Sequence, residues 1–258
     1  MIRRSAPLRT LSRRLTAACR GAVGELFPSI RLQELARAEA DGFQIDAPDQ
    51  YCGRCGASTG PGAATGRGCP ACLGRRFPWR RVVRLAAYQP PVSDWIIAMK
   101  FHRQWPWAEW FGVELAEVIA ELDPVEGDGD ARHTSKFRGR RVICPVPMHW
   151  LHRWRRGYNQ AELMAKALAR ELDAPAANLL TRPKRTLPQT HVSVWQRPAN
   201  VRDSFADRLI DLTGWQVWLV DDVKTTGSTL NACARLLRQA GAHDIHVAVA
   251  AVADPKGA

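Results

Sequence analysis

The sequence of 258 residues lacks any run of eighteen consecutive apolar residues, although apolar residues make up 46% of it. A helix that crosses a bilayer needs about 20 predominantly apolar residues, so the sequence predicts no membrane span. The N-terminal segment also lacks the continuous apolar core of a secretory signal. The apolar content is that of an ordinary packed interior, and the length indicates one large domain, or one medium domain with a small module.

Acidic residues are absent from three segments that are rich in lysine and arginine. Residues 1–24 contain six arginines, residues 131–161 contain eight basic residues, and residues 180–202 contain five. Together these segments exceed the net charge of +12, so the rest of the chain is mildly acidic. Concentrated positive charge favours a polyanionic partner, such as pyrophosphate or nucleic acid. For each segment taken alone, a solvated basic surface is the alternative.

Cysteine is scarce outside residues 51–78, a glycine-rich segment that holds four of the seven cysteines. The pairs Cys52-x2-Cys55 and Cys69-x2-Cys72 are separated by thirteen residues. Two such pairs place four thiolates around one tetrahedral ion, for which zinc is the usual occupant, and a closed site of this kind is structural. We predict one structural zinc ion, with redox chemistry or unpaired thiols as the alternatives. The other cysteines are predicted to be small buried apolar residues: Cys19, Cys144 and Cys233.

Strand and helix patterns alternate through the second half of the chain, which implies an α/β fold with a mostly parallel sheet flanked by helices. From residue 81 onward we predict strands at 81–88, 141–146, 215–221 and 246–252, and helices at 92–101, 107–122, 159–172 and 229–239. The predicted organisation is a basic N-terminal extension at 1–50, the zinc module at 51–78 and the α/β domain at 79–258.

An acidic pair interrupts the apolar run VWLV (217–220) and is followed by a short hydroxyl-rich loop. Ligands of open parallel sheets bind beyond the carboxyl ends of the strands, and a helix N-terminus attracts anions. Asp221 and Asp222 therefore suit sugar hydroxyls or a hydrated Mg2+. The loop that follows suits a phosphate monoester through hydroxyl groups and a close glycine backbone: Lys224, Thr225, Thr226, Gly227, Ser228 and Thr229.

Neither GxxxxGK[ST] nor GxGxxG occurs, so this loop is not one of the common nucleotide-binding loops. The pattern predicts a cradle for a ribose 5-phosphate, and an acidic strand edge with ordinary helix-capping residues is the alternative. The segment VDDVKTTGST (220–229) resembles the phosphoribosyl-diphosphate motif of type I phosphoribosyltransferases.

The resemblance extends to the ComF family over roughly residues 50–253. CPVPMHWLHRWRRGYNQAELMAKALA (144–169) and AMKFHRQ (98–104) are similar to segments of that family, and the cysteine module resembles its zinc finger. The basic loop 181–205 matches the family at four positions: Gln189, Arg197, Asn200 and Phe205. A second cysteine pair, often present in the family after an LFP element, does not follow Leu26-Phe27-Pro28 here, so one metal site is expected.

This resemblance implies a zinc module followed by a type I phosphoribosyltransferase-like domain in a protein of natural competence or DNA uptake. The cysteine usage, with four of seven cysteines in paired spacing, predicts a cytoplasmic location because it fits a reducing cytosol and a metal better than disulfides. The resemblance also implies phosphoribosyl diphosphate and Mg2+ as ligands, with Asp221 and Asp222 as catalytic residues that hold the ribose hydroxyls directly or through the metal. The candidates for the pyrophosphate side are basic residues: Arg153, Arg156, Lys184 and Arg185.

Whether the chain catalyses pentosyl transfer is left open by the sequence. One possibility is an active phosphoribosyltransferase of nucleotide metabolism, and another is a sensor that binds the ligand without turnover. A third is a module that handles single-stranded DNA, alone or with DNA-uptake proteins. In that third case, tryptophans among the arginines would stack bases, whereas core or lid packing is their alternative role: Trp150, Trp154 and Trp195.

Overall fold

The computed structural model describes residues 29–60, 68–122, 140–148, 154–182, 206–207 and 211–254. The chain divides into two compact units, Met1–Gln44 and Ile45–Ala258. The first unit contains helix α1 (Ser29–Ala40). The basic segment at 1–24 lies outside the described residues.

The second unit is built on a four-stranded parallel sheet with the strand order β1-β6-β5-β2. The sheet strands are β1 (Arg81–Ala87), β2 (Arg141–Pro145), β5 (Gln216–Lys224) and β6 (Asp244–Val252), and β3 (Leu180–Thr181) pairs antiparallel with β4 (Ala206–Asp207). The helices are α2 (Val92–Phe101), α3 (Pro106–Leu122), α4 (Gln160–Glu171) and α5 (Ser228–Gln239).

The two central strands are apolar on both faces because helices cover both sides of the sheet. Val217 and Leu219 of β5 belong to one buried cluster with Leu230 and Leu237 of α5. Trp218 lies between them in sequence, points to the opposite face, and is also buried. The expected α/β fold with a mostly parallel sheet flanked by helices is confirmed.

Strand β5 is longer than the sequence predicts. We expected it to end at Asp221, but it continues through Asp222 and Val223 to Lys224. These residues pair with the apolar end of β6, with Asp221 opposite Val249 and Lys224 opposite Val252. The prediction was wrong because two polar side chains were taken as a stop, whereas backbone pairing with a neighbouring strand decides where a strand ends.

A buried polar network joins the first residues of β5 and β6, at the opposite end of these strands. Asp244 accepts hydrogen bonds from Gln216 at 3.1 Å and from Arg80 at 3.2 Å, and it lies 3.1 Å from His246. Although burial by itself raises the pKa of Asp244, these partners hold it well below its usual range. The network satisfies a carboxylate that would otherwise be costly to bury.

The cysteine module is an integral part of the second unit. Gly53 accepts a hydrogen bond from the backbone of Val82 at 2.7 Å, and the buried guanidinium of Arg84 donates to the carbonyl of Gly56 at 2.7 Å. Ser58 donates through its hydroxyl to Asp254 at 2.6 Å. These contacts bind the module to the strands, so it is packed on the sheet rather than tethered beside it.

None of the described helices is both long enough and apolar enough to cross a bilayer.

Candidate functional site

An open cavity of ≈ 180 Å³ lies where β2 and β5 meet the start of α5. Asp221 and Thr229 contribute to its wall, together with Arg156 and Arg182. Val146, Pro147 and Met148, after β2, and Asn159 and Gln160, at the start of α4, complete the lining. The cavity thus combines a carboxylate and a hydroxyl with two guanidinium groups.

Asp222 is held in place by two side chains from two different helices. Its carboxylate accepts a hydrogen bond from Gln160 Nε2 of α4 at 2.5 Å and lies 2.8 Å from Lys100 Nζ of α2. Only 5% of Asp222 is exposed. These partners account for both of its oxygens, so Asp222 ties α2, α4 and β5 together below the cavity floor.

Asp221 is in a different electrostatic state from its neighbour. Burial raises the pKa of Asp221 to about 8, and the negative charge of Asp222 adds to the effect. The backbone N–H of Asp222, which donates to Asp221 Oδ1 at 2.9 Å, and the ammonium of Lys100 oppose the shift. A carboxyl group in this state holds a proton near neutral pH and releases it when a cation arrives.

The loop Thr225–Thr229, which the sequence predicts to hold a phosphate and which we therefore call the phosphate loop, connects β5 to α5. Gly227 adopts φ 76°, a left-handed conformation that favours glycine, and it stands at the N-cap position of α5. The Thr226 hydroxyl donates to the Ser228 hydroxyl at 3.1 Å, and Thr225, Thr226 and Ser228 are exposed. Hydroxyl groups are thus gathered at a helix N-terminus, where backbone N–H groups are also available.

The start of α4 is fixed by capping. Asn159 is the N-cap residue, and its side-chain oxygen accepts from the Ala161 N–H at 3.1 Å while its Nδ2 donates to the carbonyl of Val146 at 3.3 Å. Tyr158 donates from its hydroxyl to the carbonyl of Met99 in α2. These bonds set the position from which Gln160 reaches Asp222.

The chain is similar in sequence to one domain family and to several known bacterial proteins. The phosphoribosyl transferase domain family matches residues 159–258. Competence protein F of Haemophilus influenzae is 35% identical over 200 residues, which are 76% of this chain and 82% of that protein. The chain belongs to the ComF family. DNA utilization protein YhgH of Escherichia coli K12 is 33% identical over 197 residues, covering 76% of this chain and 81% of the relative.

A third relative, competence protein ComFC of Bacillus subtilis, is 29% identical over 100 residues, which are 39% of each chain. The family membership predicted from RGYNQ, the cysteine pairs and VDDVKTTGST is therefore confirmed. The domain match also confirms the fold class, a type I phosphoribosyltransferase domain with a mostly parallel sheet, to which the N-terminal cysteine cluster is added.

The predicted site residues divide into those that the structure brings together and those that it does not describe. Asp221, Thr229 and Arg156 share the cavity. Lys224 is buried at the end of β5 instead of standing in the open loop. The other basic candidates lie outside the described residues: Arg153, Lys184 and Arg185.

Three residues of this ComF-family site were missed by the sequence reasoning. Lys100 and Gln160 hold Asp222, and Arg182 lines the cavity. The first two stand in AMKFHRQ and RGYNQ, so the motifs were available, but their polar residues were not assigned to the acidic pair. Arg182 begins the basic loop and carries no signal that separates it from its neighbours.

The four predicted metal ligands form a closed cluster. Their ligand atoms all lie within 4.8 Å of one another, with Cys55–Cys69 at 3.6 Å and Cys52–Cys72 at 3.8 Å between sulfurs. Zinc–sulfur bonds of about 2.3 Å in a tetrahedron need sulfurs roughly 3.8 Å apart. The donor set and its spacing therefore fit a metal such as zinc. Cys144 and Cys233 are buried as predicted, and Cys19 lies outside the described residues.

Proposed function

We propose that this ComF-family chain binds phosphoribosyl diphosphate together with Mg2+ in the cavity beside Asp221. The observation that carries the proposal is the composition of that cavity. The cavity wall includes Asp221 near the end of β5 and Thr229 at the start of α5. It also includes two guanidinium groups, those of Arg156 and Arg182. A ligand with a polyhydroxyl ring between two anionic groups matches this distribution of charge.

The phosphate loop would take the 5-phosphate of the ribose. Its hydroxyl groups and the N–H groups at the start of α5 are donors, and an exposed helix N-terminus favours negative charge. Gly227 lets the backbone turn tightly at this point because its left-handed conformation carries no side-chain penalty. No carboxylate belongs to the loop itself, so nothing in it repels the phosphate.

Asp221 would hold the ribose hydroxyls or the hydrated Mg2+. Asp222 would instead keep Asp221 in position. This assignment follows from the contacts, since Asp222 is already occupied by Lys100 and Gln160. Gln160 adds an acceptor, because its Oε1 is buried and has no hydrogen-bond partner among the described residues. A ribose hydroxyl or a metal-bound water would supply the missing donor.

Arg156 and Arg182 would bind the pyrophosphate. Guanidinium groups form bidentate hydrogen bonds to phosphate oxygens. If a nucleophilic acceptor forms a bond to ribose C1 as the bond from C1 to the pyrophosphate oxygen breaks, the electrons of the broken bond leave with that oxygen, and these cations would stabilise its charge. The proposal concerns ligand binding, and the acceptor of a transfer reaction is not assigned.

The biological role that we propose is in DNA utilisation or competence. It rests on the names of the relatives, competence protein F and DNA utilization protein YhgH, together with the domain match. A location in the cytoplasm stays a prediction from cysteine usage.

Calorimetric titration with phosphoribosyl diphosphate and Mg2+ tests the proposal. We expect saturable binding that is weakened about 100-fold or more in the double variant Asp221→Asn/Asp222→Asn, because the sugar and metal contacts are lost. Asp173→Asn is the matched control, since Asp173 is exposed and lies outside the cavity. Folded wild-type protein that gives no heat of binding would refute the proposal.

One observation favours a second function, the handling of single-stranded DNA. Trp154 is 80% exposed and stands beside Arg155 and Arg156, and Arg156 in turn lies over the ring of Phe101, which is 65% exposed. Exposed aromatic rings among cations stack nucleobases. The core-packing alternative for Trp154 therefore does not apply.

For this second function, fluorescence titration with an oligothymidylate is expected to show binding that weakens steeply between 50 and 200 mM salt. Replacing Trp154 with alanine should weaken it about tenfold or more, because a stacked base contributes roughly 1–3 kcal/mol. Replacing Leu73, an exposed residue at 66%, provides the control for loss of an apolar surface side chain. Binding that is insensitive to salt would contradict this function.

A further inference from the structure

Two side chains lie directly beneath the phosphate loop at Gly227. A Cβ atom placed on Gly227 would lie 3.3 Å from Lys224 Cε and 3.8 Å from the indole ring of Trp79. Lys224 is 8% exposed and Trp79 is 5% exposed, so neither side chain is free to swing into solvent. The tip of the loop therefore rests on Lys224 and Trp79, and it cannot move toward them unless they move.

Both of these side chains lead to the cysteine module. Trp79 Nε1 donates a hydrogen bond at 2.9 Å to the carbonyl of Arg54, which lies between Cys52 and Cys55. The ammonium of Lys224 is within electrostatic range of Cys55 and Cys72. The phosphate loop is thus linked to the cysteine pairs in two ways: by the hydrogen bond from Trp79 to Arg54 and by the electrostatic interaction of Lys224 with the cysteines.

The charge of Lys224 needs a counter-charge. Among the described residues no carboxylate forms an ion pair with it. Burial lowers the pKa of Lys224 and Arg75 adds to that shift, whereas Cys55, Asp254 and Cys72 oppose it. A zinc ion bound by four thiolates carries about two excess negative charges, since each thiolate contributes one and the ion is divalent. A metal-loaded module would therefore supply the counter-ion that a buried ammonium requires.

We infer that the metal in the cysteine module positions the phosphate loop through Lys224 and Trp79. In this arrangement Lys224 is not a phosphate ligand. It is a positioning residue whose charge is neutralised by the metal-bound thiolates and whose aliphatic stem supports Gly227. Loss of the metal would loosen the loop, and the expected consequence for phosphate binding rests on the proposed function above.

Hydrogen exchange of the full chain tests the inference without any ligand. In metal-loaded protein, Lys224→Met keeps the length of the side chain and its packing but removes the charge. We expect amide exchange in Thr225–Thr229 to be about tenfold faster than in the wild type, with α4 unchanged. Lys166→Met is the control, because Lys166 is a surface lysine of α4 with its side chain 63% exposed. Equal exchange in the loop of Lys224→Met and wild type would overturn the inference.

Metal retention gives a second and independent readout. Release of zinc to a coloured chelator should be about tenfold faster from Lys224→Met than from wild type, and unchanged in Lys166→Met. If Lys224→Met does not fold, Trp79→Phe serves instead, since it removes both the indole donor to Arg54 and the ring atom Cη2 that lies nearest Gly227. Unaltered metal release together with unaltered loop exchange would refute the link.

The ligand experiment separates this inference from the proposed function. If phosphoribosyl diphosphate binds, it should raise the equilibrium affinity for zinc by the same factor by which zinc raises the affinity for the ligand, because coupling between two sites is reciprocal. If wild-type protein binds no ligand but the loop still responds to Lys224→Met, the proposed function fails and the structural link stands. Ligand binding that leaves the zinc affinity of the wild type unchanged would contradict the coupling.

Discussion

Asp221→Asn is expected to raise the melting temperature of the ligand-free protein at pH 8 and to remove most of its affinity for phosphoribosyl diphosphate with Mg2+. The pKa of Asp221 is raised to about 8 because the partly buried carboxyl group is desolvated and lies beside the negative charge of Asp222. Asparagine has nearly the same shape and carries no charge, so it avoids the cost of a buried carboxylate. The same substitution removes the ligand that the sugar or the metal requires.

The sign of the pH dependence follows from the raised pKa. In the unfolded chain the group ionises near pH 4, whereas in the folded chain it stays protonated up to about pH 8. The protonated form therefore favours folding fully below about pH 4, and this contribution is lost progressively as the pH rises to about 8. The difference between variant and wild type should grow over the same interval.

We expect the variant to be more stable by about 1–3 kcal/mol at pH 8, or roughly 3–8 °C in melting temperature. Thermal melts at pH 4, 6 and 8 without added divalent cations measure it, and Asp173→Asn is the matched control. A wild type that gains stability relative to Asp221→Asn as the pH rises would contradict the assignment. Calorimetry in buffers of different ionisation enthalpy should also show that ligand binding to wild type at pH 7 releases a proton.

Gly112→Val is expected to destabilise the fold by about 3 kcal/mol or more. Gly112 lies in α3, and a Cβ atom placed there would lie 2.5 Å from the carbonyl oxygen of Met164 and 2.6 Å from Ala167 Cβ, both in α4. Neither atom belongs to a flexible side-chain end, so the two helices must move apart. Because α4 begins at Gln160, the displacement would also disturb the hydrogen bond to Asp222.

Thermal unfolding should show a melting temperature lower by roughly 6–12 °C for Gly112→Val. Gly60→Ala is the control, since a Cβ atom at Gly60 meets no atom within 4 Å. A further comparison is Gly112→Ala, which should fall between the wild type and the valine variant. Equal melting temperatures for wild type and Gly112→Val would show that α3 and α4 do not pack as closely as described.

Local patterns predicted the architecture well because each depends on neighbours in sequence. Residues 217–220 are apolar because β5 is buried. Apolar residues recur with helical spacing after Ser228 because one face of α5 is buried, as any packed fold requires. The two cysteine pairs also predicted a metal cluster from local sequence, since each Cys-x2-Cys pair forms a turn that holds two thiolates. The continuation of β5 beyond Asp221 could not be predicted from local sequence, because it depends on backbone pairing with β6.

In the candidate site, too, local features were predictable from the sequence and contacts between distant residues were not. The acidic pair and the hydroxyl-rich loop were visible in the sequence, but their different roles were not. Lys100 lies more than a hundred residues before Asp222, yet their side chains are 2.8 Å apart. No pattern within a helix or strand records such a contact, which arises only when α2, α4 and β5 pack together.

By itself, the sequence determined the family, the alternation of strands and helices, the cysteine cluster and the loop at 225–229, because short-range spacing and composition encode each of these. The folded structure added three facts: Asp222 is held by Lys100 and Gln160, Asp221 reaches the cavity, and Lys224 lies beneath the loop. Local sequence could not show them, because burial and charge pairing depend on which distant side chains meet, and packing of the whole unit sets that.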